Sequence, residues 1–122
     1  MDREYYEFLA ISILSVNSYP LERVWPLRDS LRRHDLFSPE VVAKWDHKTA
    51  ITQLVSSGYD RGATMNSIFA SRLQELALQR DALNEIWQLV NAGANEQASQ
   101  KLLQLRGVGP AVLRNFWALQ KA

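Results

Sequence analysis

Residues 102–117 of the chain read LLQLRGVGPAVLRNFW. An apolar helix end is followed by Gly107-Val108-Gly109, and Pro110 stands where a second helix would begin. Glycine lacks a Cβ, so two glycines around one small apolar residue permit a tight turn and a close approach to a partner. Proline is favoured at the first helical position, where its missing N–H costs nothing. The stretch therefore predicts two helices joined by a tight turn, and the free amides that open the second helix suit a phosphate oxygen.

Size and composition indicate one ordinary globular domain. The chain has 122 residues, of which 47% are hydrophobic, and this is enough for a buried core. It has no cysteine, which excludes disulfides, thiolate zinc sites and cysteine-held iron–sulfur clusters. The longest apolar run near the N-terminus, residues 8–14, is too short to span a bilayer, and no signal-peptide pattern precedes it. We expect a single domain over residues 1–122, cytoplasmic and without a membrane partner.

The charges are divided unevenly along the chain. Every Asp and Glu lies at or before Glu96, and residues 1–96 carry ten basic and thirteen acidic side chains, a balance of −3. Residues 97–122 carry +4, from Lys101, Arg106, Arg114 and Lys121. A local positive segment favours contact with a polyanion. Basic residues also favour helix C-termini, which accounts for the two lysines better than for the two arginines.

Helical periodicity runs along nearly the whole chain. Apolar residues recur every three or four positions, and no stretch of four or more residues alternates strictly between apolar and polar. The first helix, with apolar residues from Tyr5 to Val16, should be central and largely buried and should end near Asn17-Ser18, because Pro20 disfavours a helical Tyr19. We predict an all-α fold, a compact bundle of seven or eight short helices.

Several residues are predicted to begin these helices. Pro26 should start the second helix, and Ser38-Pro39 should cap and open a short one. Asp46, Asp60 and Asn95 are each predicted to act as an N-cap. The helix-hairpin-helix element should therefore cover residues 96–120.

Three blocks of the chain, in the right order, resemble the helix-hairpin-helix base-excision DNA glycosylases, most nearly their endonuclease III branch. The blocks are residues 6–15 (YEFLAISILS), residues 50–59 (AITQLVSSGY) and residues 102–117. Together they span nearly the whole chain. The resemblance implies the six-helix barrel domain of that family, with a hairpin that holds the DNA backbone and, in the family, a monovalent cation on the hairpin carbonyls.

The departures from the family pattern concern catalysis. Ala111 stands where the lyase-type glycosylases have the nucleophilic lysine, and alanine has nothing to attack with. No acidic residue follows Glu96, so the family's downstream aspartate has no counterpart. Residues 1–122 contain no counterpart of the family's second domain or of its cluster-binding cysteines, so we expect one wall of the catalytic cleft to be absent. Asn17 replaces a glutamine that, in the family, probes the DNA helix.

No other residue pattern predicts an active site. His34 and His47 are too far apart in sequence to share one helix face, and neither has an acidic neighbour at a metal-ligand spacing. The four tryptophans are interpreted mostly as core residues, although Trp117, one turn from Arg114, is also a candidate for stacking on a ligand. We therefore expect no catalytic residue, no metal and no cofactor beyond the hairpin cation.

These observations favour a non-catalytic module that binds double-stranded DNA through its backbone, largely without regard to sequence, with a possible link to DNA repair. The alternatives are a domain that binds another protein or a second copy of itself on a degenerate glycosylase scaffold, and, more weakly, a DNA glycosylase completed by a partner chain. The residues predicted to contact DNA are Asn17, Lys101, Arg106, Gly107, Val108, Gly109 and Arg114.

Overall fold

The computed structural model describes residues 2–121, and every regular element in that range is helical. The helices are α1 (Arg3–Leu14), α2 (Leu21–Val24), α3 (Arg28–Arg33), α4 (Pro39–Val42), α5 (His47–Ser56), α6 (Ala63–Leu78), α7 (Arg80–Asn91), α8 (Asn95–Leu103) and α9 (Pro110–Lys121). A 3-10 turn (Trp25–Leu27) joins α2 to α3 without a break, so the described residues form eight helical segments. The all-α prediction is confirmed.

Two of the predicted helix starts and one helix end are explained by local chemistry. The Asp46 carboxylate accepts a hydrogen bond from the Thr49 amide at 2.7 Å and caps α5 as predicted. Pro39 opens α4 as predicted, although the Ser38 side chain makes no capping hydrogen bond. Gly93 follows α7 with a φ of +76°, a left-handed conformation that glycine adopts without strain.

Two predicted boundaries in the first quarter of the chain are wrong. Helix α1 ends at Leu14, not near Asn17-Ser18: Ser15 already leaves the helical conformation, with φ −105° and ψ 40°, and Asn17 and Ser18 are left-handed, with φ of +60° and +68°. The second helical segment begins at Leu21, and Pro26 lies inside it rather than at its start. The segment accommodates this proline because the chain forms a 3-10 turn there.

Two predicted N-caps are also wrong. Asn95 is the first residue of α8, and Ala94 precedes it. The residue before α6 is Gly62, with a φ of +90°, so the chain turns sharply between Asp60 and the helix. The Asp60 carboxylate accepts hydrogen bonds from the Gly62 amide at 3.1 Å and from Asn66 Nδ2 at 2.8 Å, and thereby stabilises the turn rather than the helix end.

Helix α1 lies at the centre of the core. Every residue from Leu9 to Ser15 is less than a tenth exposed, and the helix packs against α6 and α9. Because no face of this stretch reaches water, its polar side chains bond inward: the Ser12 and Ser15 hydroxyls donate to the carbonyls one turn earlier, each at 2.6 Å. The predicted burial of the first helix is confirmed.

An aromatic cluster joins α1, α7 and α9. The Trp87 ring stacks on Phe116 with centroids 5.9 Å apart, and Tyr5 lies 5.4 Å from Trp87. Trp117 is half-buried, and its indole Nε1 donates to Ser99 Oγ on α8 at 2.8 Å. Trp117 therefore joins the two helices of the hairpin, which gives it a structural role.

Two adjacent leucines at the end of α8 test this assignment of the core. Leu102 is fully buried and Leu103 is 44% exposed. We expect Leu102→Ala to lower the free energy of unfolding by about 2–5 kcal/mol, because it removes buried methyl groups and leaves a cavity. The same substitution at Leu103 should change it by less than about 0.5 kcal/mol. Urea denaturation followed by circular dichroism measures both, and equal losses would contradict the assignment.

Candidate functional site

The carbonyl end of α1 is capped by side chains from distant parts of the chain. The Tyr59 hydroxyl donates to the buried Leu14 carbonyl at 2.7 Å. The Arg61 guanidinium donates to the Val16 carbonyl at 3.0 Å and to the Asn17 carbonyl at 2.7 Å. The Tyr59 bond satisfies the last carbonyl of α1, which has no intrahelical donor, and the two Arg61 bonds fix the loop that follows the helix.

Helix α9 caps the same end from the other side. Asn115 Nδ2 donates to the Ser15 carbonyl at 3.0 Å and, more weakly, to the Ser12 carbonyl at 3.3 Å. The second helix of the hairpin is thus hydrogen-bonded directly to the end of α1. Residues 15–18 therefore have a defined position relative to the hairpin.

Arg61 is held in place by the turn in front of α6. Asn66 is buried, and its Oδ1 accepts a hydrogen bond from the Arg61 amide at 2.8 Å, while its Nδ2 donates to Asp60. The hydrogen bonds from Asn66 and from the Gly62 amide lower the pKa of the Asp60 carboxyl, which remains ionised in its turn. Arg61 Nη1 also donates to the Tyr59 hydroxyl at 3.2 Å, so Tyr59 and Arg61 act as one unit.

The hairpin turn buries its valine and leaves open space around its two glycines. Val108 is 6% exposed and anchors the turn in the core. Gly107 has a φ of +86°, and a Cβ built on Gly107 or Gly109 would meet no atom within 4 Å. The outer surface of the turn is therefore open backbone. Gly107 alone needs the conformational freedom of glycine, because Gly109 is not left-handed.

A glutamine from α6's end holds the hairpin turn against the rest of the protein. Gln79 Oε1 accepts a hydrogen bond from the Arg106 amide at 2.9 Å, and Gln79 Nε2 donates to the Arg106 carbonyl at 3.1 Å. The side-chain amide of Gln79 thus pairs with both backbone hydrogen-bonding groups of Arg106, as a residue of a neighbouring strand would. The sequence contains no signal for it, because the two residues lie 27 positions apart.

Two open clefts share Val16, Asn17 and Ala111 in their linings. The first, which we call the hairpin cleft, has a volume of about 380 Å³ and is lined by Val16, Asn17, Arg72 and residues 107–112. The second, the loop cleft, has a volume of about 350 Å³ and is lined by residues 15–20, Ala111, Arg114 and Asn115. No Asp or Glu of residues 2–121 lines either cleft. Both clefts therefore present cations and polar backbone to a ligand without an opposing negative charge.

The structure brings five of the predicted site residues together and places two elsewhere. Asn17, Gly107, Val108 and Gly109 line the hairpin cleft, and Asn17 and Arg114 line the loop cleft. Lys101 and Arg106 line neither cleft. Lys101 Nζ lies 3.1 Å from Glu85, and Arg106 Nε lies 3.0 Å from Glu75.

These two ion pairs weaken the positive field that the sequence predicts for residues 97–122. The basic charge of residues 97–122 is partly neutralised by carboxylates of α6 and α7, since the helices bring distant residues together. The hairpin cleft gains a different cation, Arg72, whose guanidinium lies 5.0 Å from the Phe69 ring centroid. The sequence analysis did not predict Arg72 as a site residue, because nothing in its sequence context distinguishes it from other arginines of a helix.

Neither cleft is lined by a His, Asp, Glu or Lys side chain of the described residues. Ala111 lines both clefts, and its side chain contributes only a methyl group. Within residues 2–121, no group of three or more His, Asp or Glu side chains is arranged to hold a metal ion. His34 Nδ1 lies 2.8 Å from the Ser30 carbonyl, and His47 Nε2 lies 2.9 Å from Ser67 Oγ. In the same range, none of the helices combines the length and the apolar character needed to cross a membrane.

Tyr59 provides a test of the cap on α1. Burial raises the pKa of its hydroxyl to about 12, and the Arg61 cation opposes part of that rise. A raised pKa means that the stabilisation is complete below pH 10, the ordinary tyrosine value, and is lost as the pH rises through about 12. We expect Tyr59→Phe to lower the free energy of unfolding by about 1–3 kcal/mol near neutral pH, because the buried Leu14 carbonyl loses its donor.

The measurement is urea denaturation of the wild type and the variant at about pH 8 and at about pH 11.5. The difference between the two proteins should shrink at the higher pH. A difference that stays constant, or grows, would contradict the role assigned to the hydroxyl.

Gln79 provides a test of how the hairpin turn is held. We expect Gln79→Ala to speed amide hydrogen exchange at Arg106 at least about tenfold, because the amide loses its side-chain acceptor. Amides in the middle of α1 should keep their protection, which serves as the internal control. Unchanged exchange at Arg106 would show that the turn is fixed by Val108 packing alone.

No protein-family model, curated protein or solved structure matches this chain. The function proposed below therefore rests on the geometry and charge of the two clefts, together with the motif resemblance stated above.

Proposed function

We propose that the chain is a non-catalytic module that binds the phosphate backbone of double-stranded DNA, largely independently of sequence. The observation that carries this proposal is the hairpin cleft. In it, the glycines of the turn, Asn17 and Arg72 line one space that no carboxylate of the described residues lines. Phosphate contacts of this kind supply affinity but carry no sequence information.

Backbone amides are the central groups of this contact. Helix α9 begins at Pro110, and its first internal bond runs from the Leu113 amide to the Gly109 carbonyl at 3.0 Å. The amides of Ala111 and Val112 therefore have no intrahelical acceptor, and both residues line the hairpin cleft. The positive end of the helix dipole favours an anion at the same place. A monovalent cation on the hairpin carbonyls, as the family resemblance implies, would join the phosphate to the turn.

The proposed kinship is with the endonuclease III-like barrel of the helix-hairpin-helix glycosylases. It is supported by the order of the three matching blocks and by an all-α fold in which the predicted hairpin turn is present. Ala111, at the position of the family's lysine, supports the loss of lyase chemistry. We propose a role in DNA repair that depends on binding rather than on bond cleavage.

Salt-dependent binding tests the proposal. We expect a fluorescein-labelled duplex to bind with a log–log salt slope of about −3, corresponding to about three phosphate contacts, between about 50 mM and about 200 mM salt. Arg114 lines the loop cleft. The substitution Arg114→Gln should therefore weaken DNA binding and reduce the magnitude of the salt slope by about one. Anisotropy titration measures both quantities.

The matched control is Lys101→Gln, which removes the same charge from the same basic segment. Lys101 lies outside both clefts and pairs with Glu85, so this variant should lower affinity less than Arg114→Gln. Equal effects of the two variants, or binding that does not change with salt, would contradict the assignment of the site. Cleavage of damaged duplexes by the isolated chain would contradict the non-catalytic reading and favour a glycosylase.

A second candidate function is binding to another protein or to a second copy of the chain. Exposed leucines favour it: Leu78 is 65% exposed and lies in a groove with the half-buried Trp45, and Leu103 is 44% exposed. Size-exclusion chromatography with light scattering at several concentrations tests it. A dimer that Leu78→Gln dissociates would support this function, whereas a monomer at all concentrations would rule out self-association.

A further inference from the structure

Two arginines stack on one tyrosine beside the loop cleft. The guanidinium carbons of Arg23 and Arg61 each lie 4.5 Å from the centroid of the Tyr19 ring. Tyr19 is half-buried and lines the loop cleft, so this group adjoins the proposed DNA site. We call Tyr19, Arg23 and Arg61 the Tyr19 stack.

The two cations of the Tyr19 stack differ in their freedom to bind a ligand. Arg61 is half-buried, and three hydrogen bonds to the Val16 and Asn17 carbonyls and to the Tyr59 hydroxyl hold its guanidinium. Arg23 is exposed on α2, and within residues 2–121 its guanidinium has no ion pair and no hydrogen bond. Arg23 is therefore the member of the stack that is available to a ligand.

The two cations of the Tyr19 stack have no carboxylate partner among the described residues. Arg61 donates only to neutral oxygens, and neither it nor Arg23 pairs with a carboxylate of the described residues. Two like charges beside one ring repel each other, so an anion bound nearby is favoured. Arg114, on the loop cleft that Tyr19 also lines, adds a third cation.

The chemistry of the Tyr19 stack selects the kind of anion. A guanidinium plane that lies over an aromatic ring is already oriented, and nucleobases stack on such planes as they do on aromatic rings. A base inside a duplex has both faces covered by its neighbours, whereas an unpaired base has a free face. An acidic peptide would satisfy the charges but would leave the flat surface unused.

We infer that Arg23 stacks against an unpaired nucleobase while Arg114 binds a neighbouring phosphate, so that the module prefers DNA with an unpaired nucleotide to a continuous duplex. This inference rests on the proposed DNA-binding function and names the form of DNA that the site recognises. It assigns a ligand-binding role to a surface outside the hairpin.

Anisotropy titrations with three labelled DNA probes test the inference: a matched duplex, the same duplex with one bulged nucleotide, and the single strand. We expect the wild type to bind the bulged duplex about tenfold more tightly than the matched duplex, because the stacking of one base contributes affinity of about this size. Arg23→Lys keeps the charge but removes the planar group, so it should reduce this preference to about twofold or less. Its affinity for the matched duplex should stay within about twofold of the wild type.

The matched control is Arg33→Lys on α3, since Arg33 is exposed and stacks on no aromatic ring of the described residues. This variant should keep the full preference for the bulged duplex. The Arg23→Lys protein is also checked by circular dichroism, and because Arg23 is exposed we expect it to fold as the wild type does.

The possible outcomes separate this inference from the function on which it rests. Equal binding of matched and bulged duplexes by the wild type, or a preference that survives Arg23→Lys, overturns the inference and leaves duplex binding standing. Competition by polyglutamate as strong as that by single-stranded DNA of equal charge also overturns it, because charge alone would then explain binding. Failure to bind any of the three DNA probes overturns the proposed function itself.

Discussion

The capping of the carbonyl end of α1 is the constraint on which the rest of the structure depends. A helix buried on all sides cannot offer its last carbonyls to water, and each unsatisfied buried group costs about 1–3 kcal/mol. Tyr59, from the α5–α6 turn, donates to the Leu14 carbonyl, and Asn115, from α9, donates to the Ser15 carbonyl, while Arg61 donates to the Val16 carbonyl in the loop. These same bonds hold residues 15–18 in place, and that loop contributes to the lining of both clefts.

Holding the loop in this way also accounts for its strained backbone. Two consecutive non-glycine residues, Asn17 and Ser18, adopt left-handed conformations that side chains disfavour. The hydrogen bond from Arg61 to the Asn17 carbonyl offsets part of that strain. Asn17 is exposed, and it lines one cleft together with Arg72 and the other together with Arg114.

The charge pattern shows why the net charge of a sequence segment does not by itself predict the charge of the surface on which that segment lies. Residues 97–122 carry only basic side chains among their charged residues, yet Glu75 and Glu85 partner two of them in space. Exposed pairs of this kind are weak, about 0–1 kcal/mol, so they reduce the local field rather than remove it. Arg23, Arg61 and Arg72, which have no carboxylate partner among the described residues, lie against aromatic rings instead, and backbone carbonyls also hold Arg61.

The sequence by itself determined the helical class, the tight turn at Gly107 and the absence of cysteine chemistry, because each depends on periodicity, on one residue's backbone freedom or on composition. It did not determine where α1 ends: that end depends on donors at Tyr59 and Asn115, about 45 and 100 positions away. Likewise, only the tertiary structure decided which cations stay unpaired and that Asn17 lies beside the hairpin. Contacts between residues so far apart form only when helices pack, and packing depends on the whole core rather than on any local pattern.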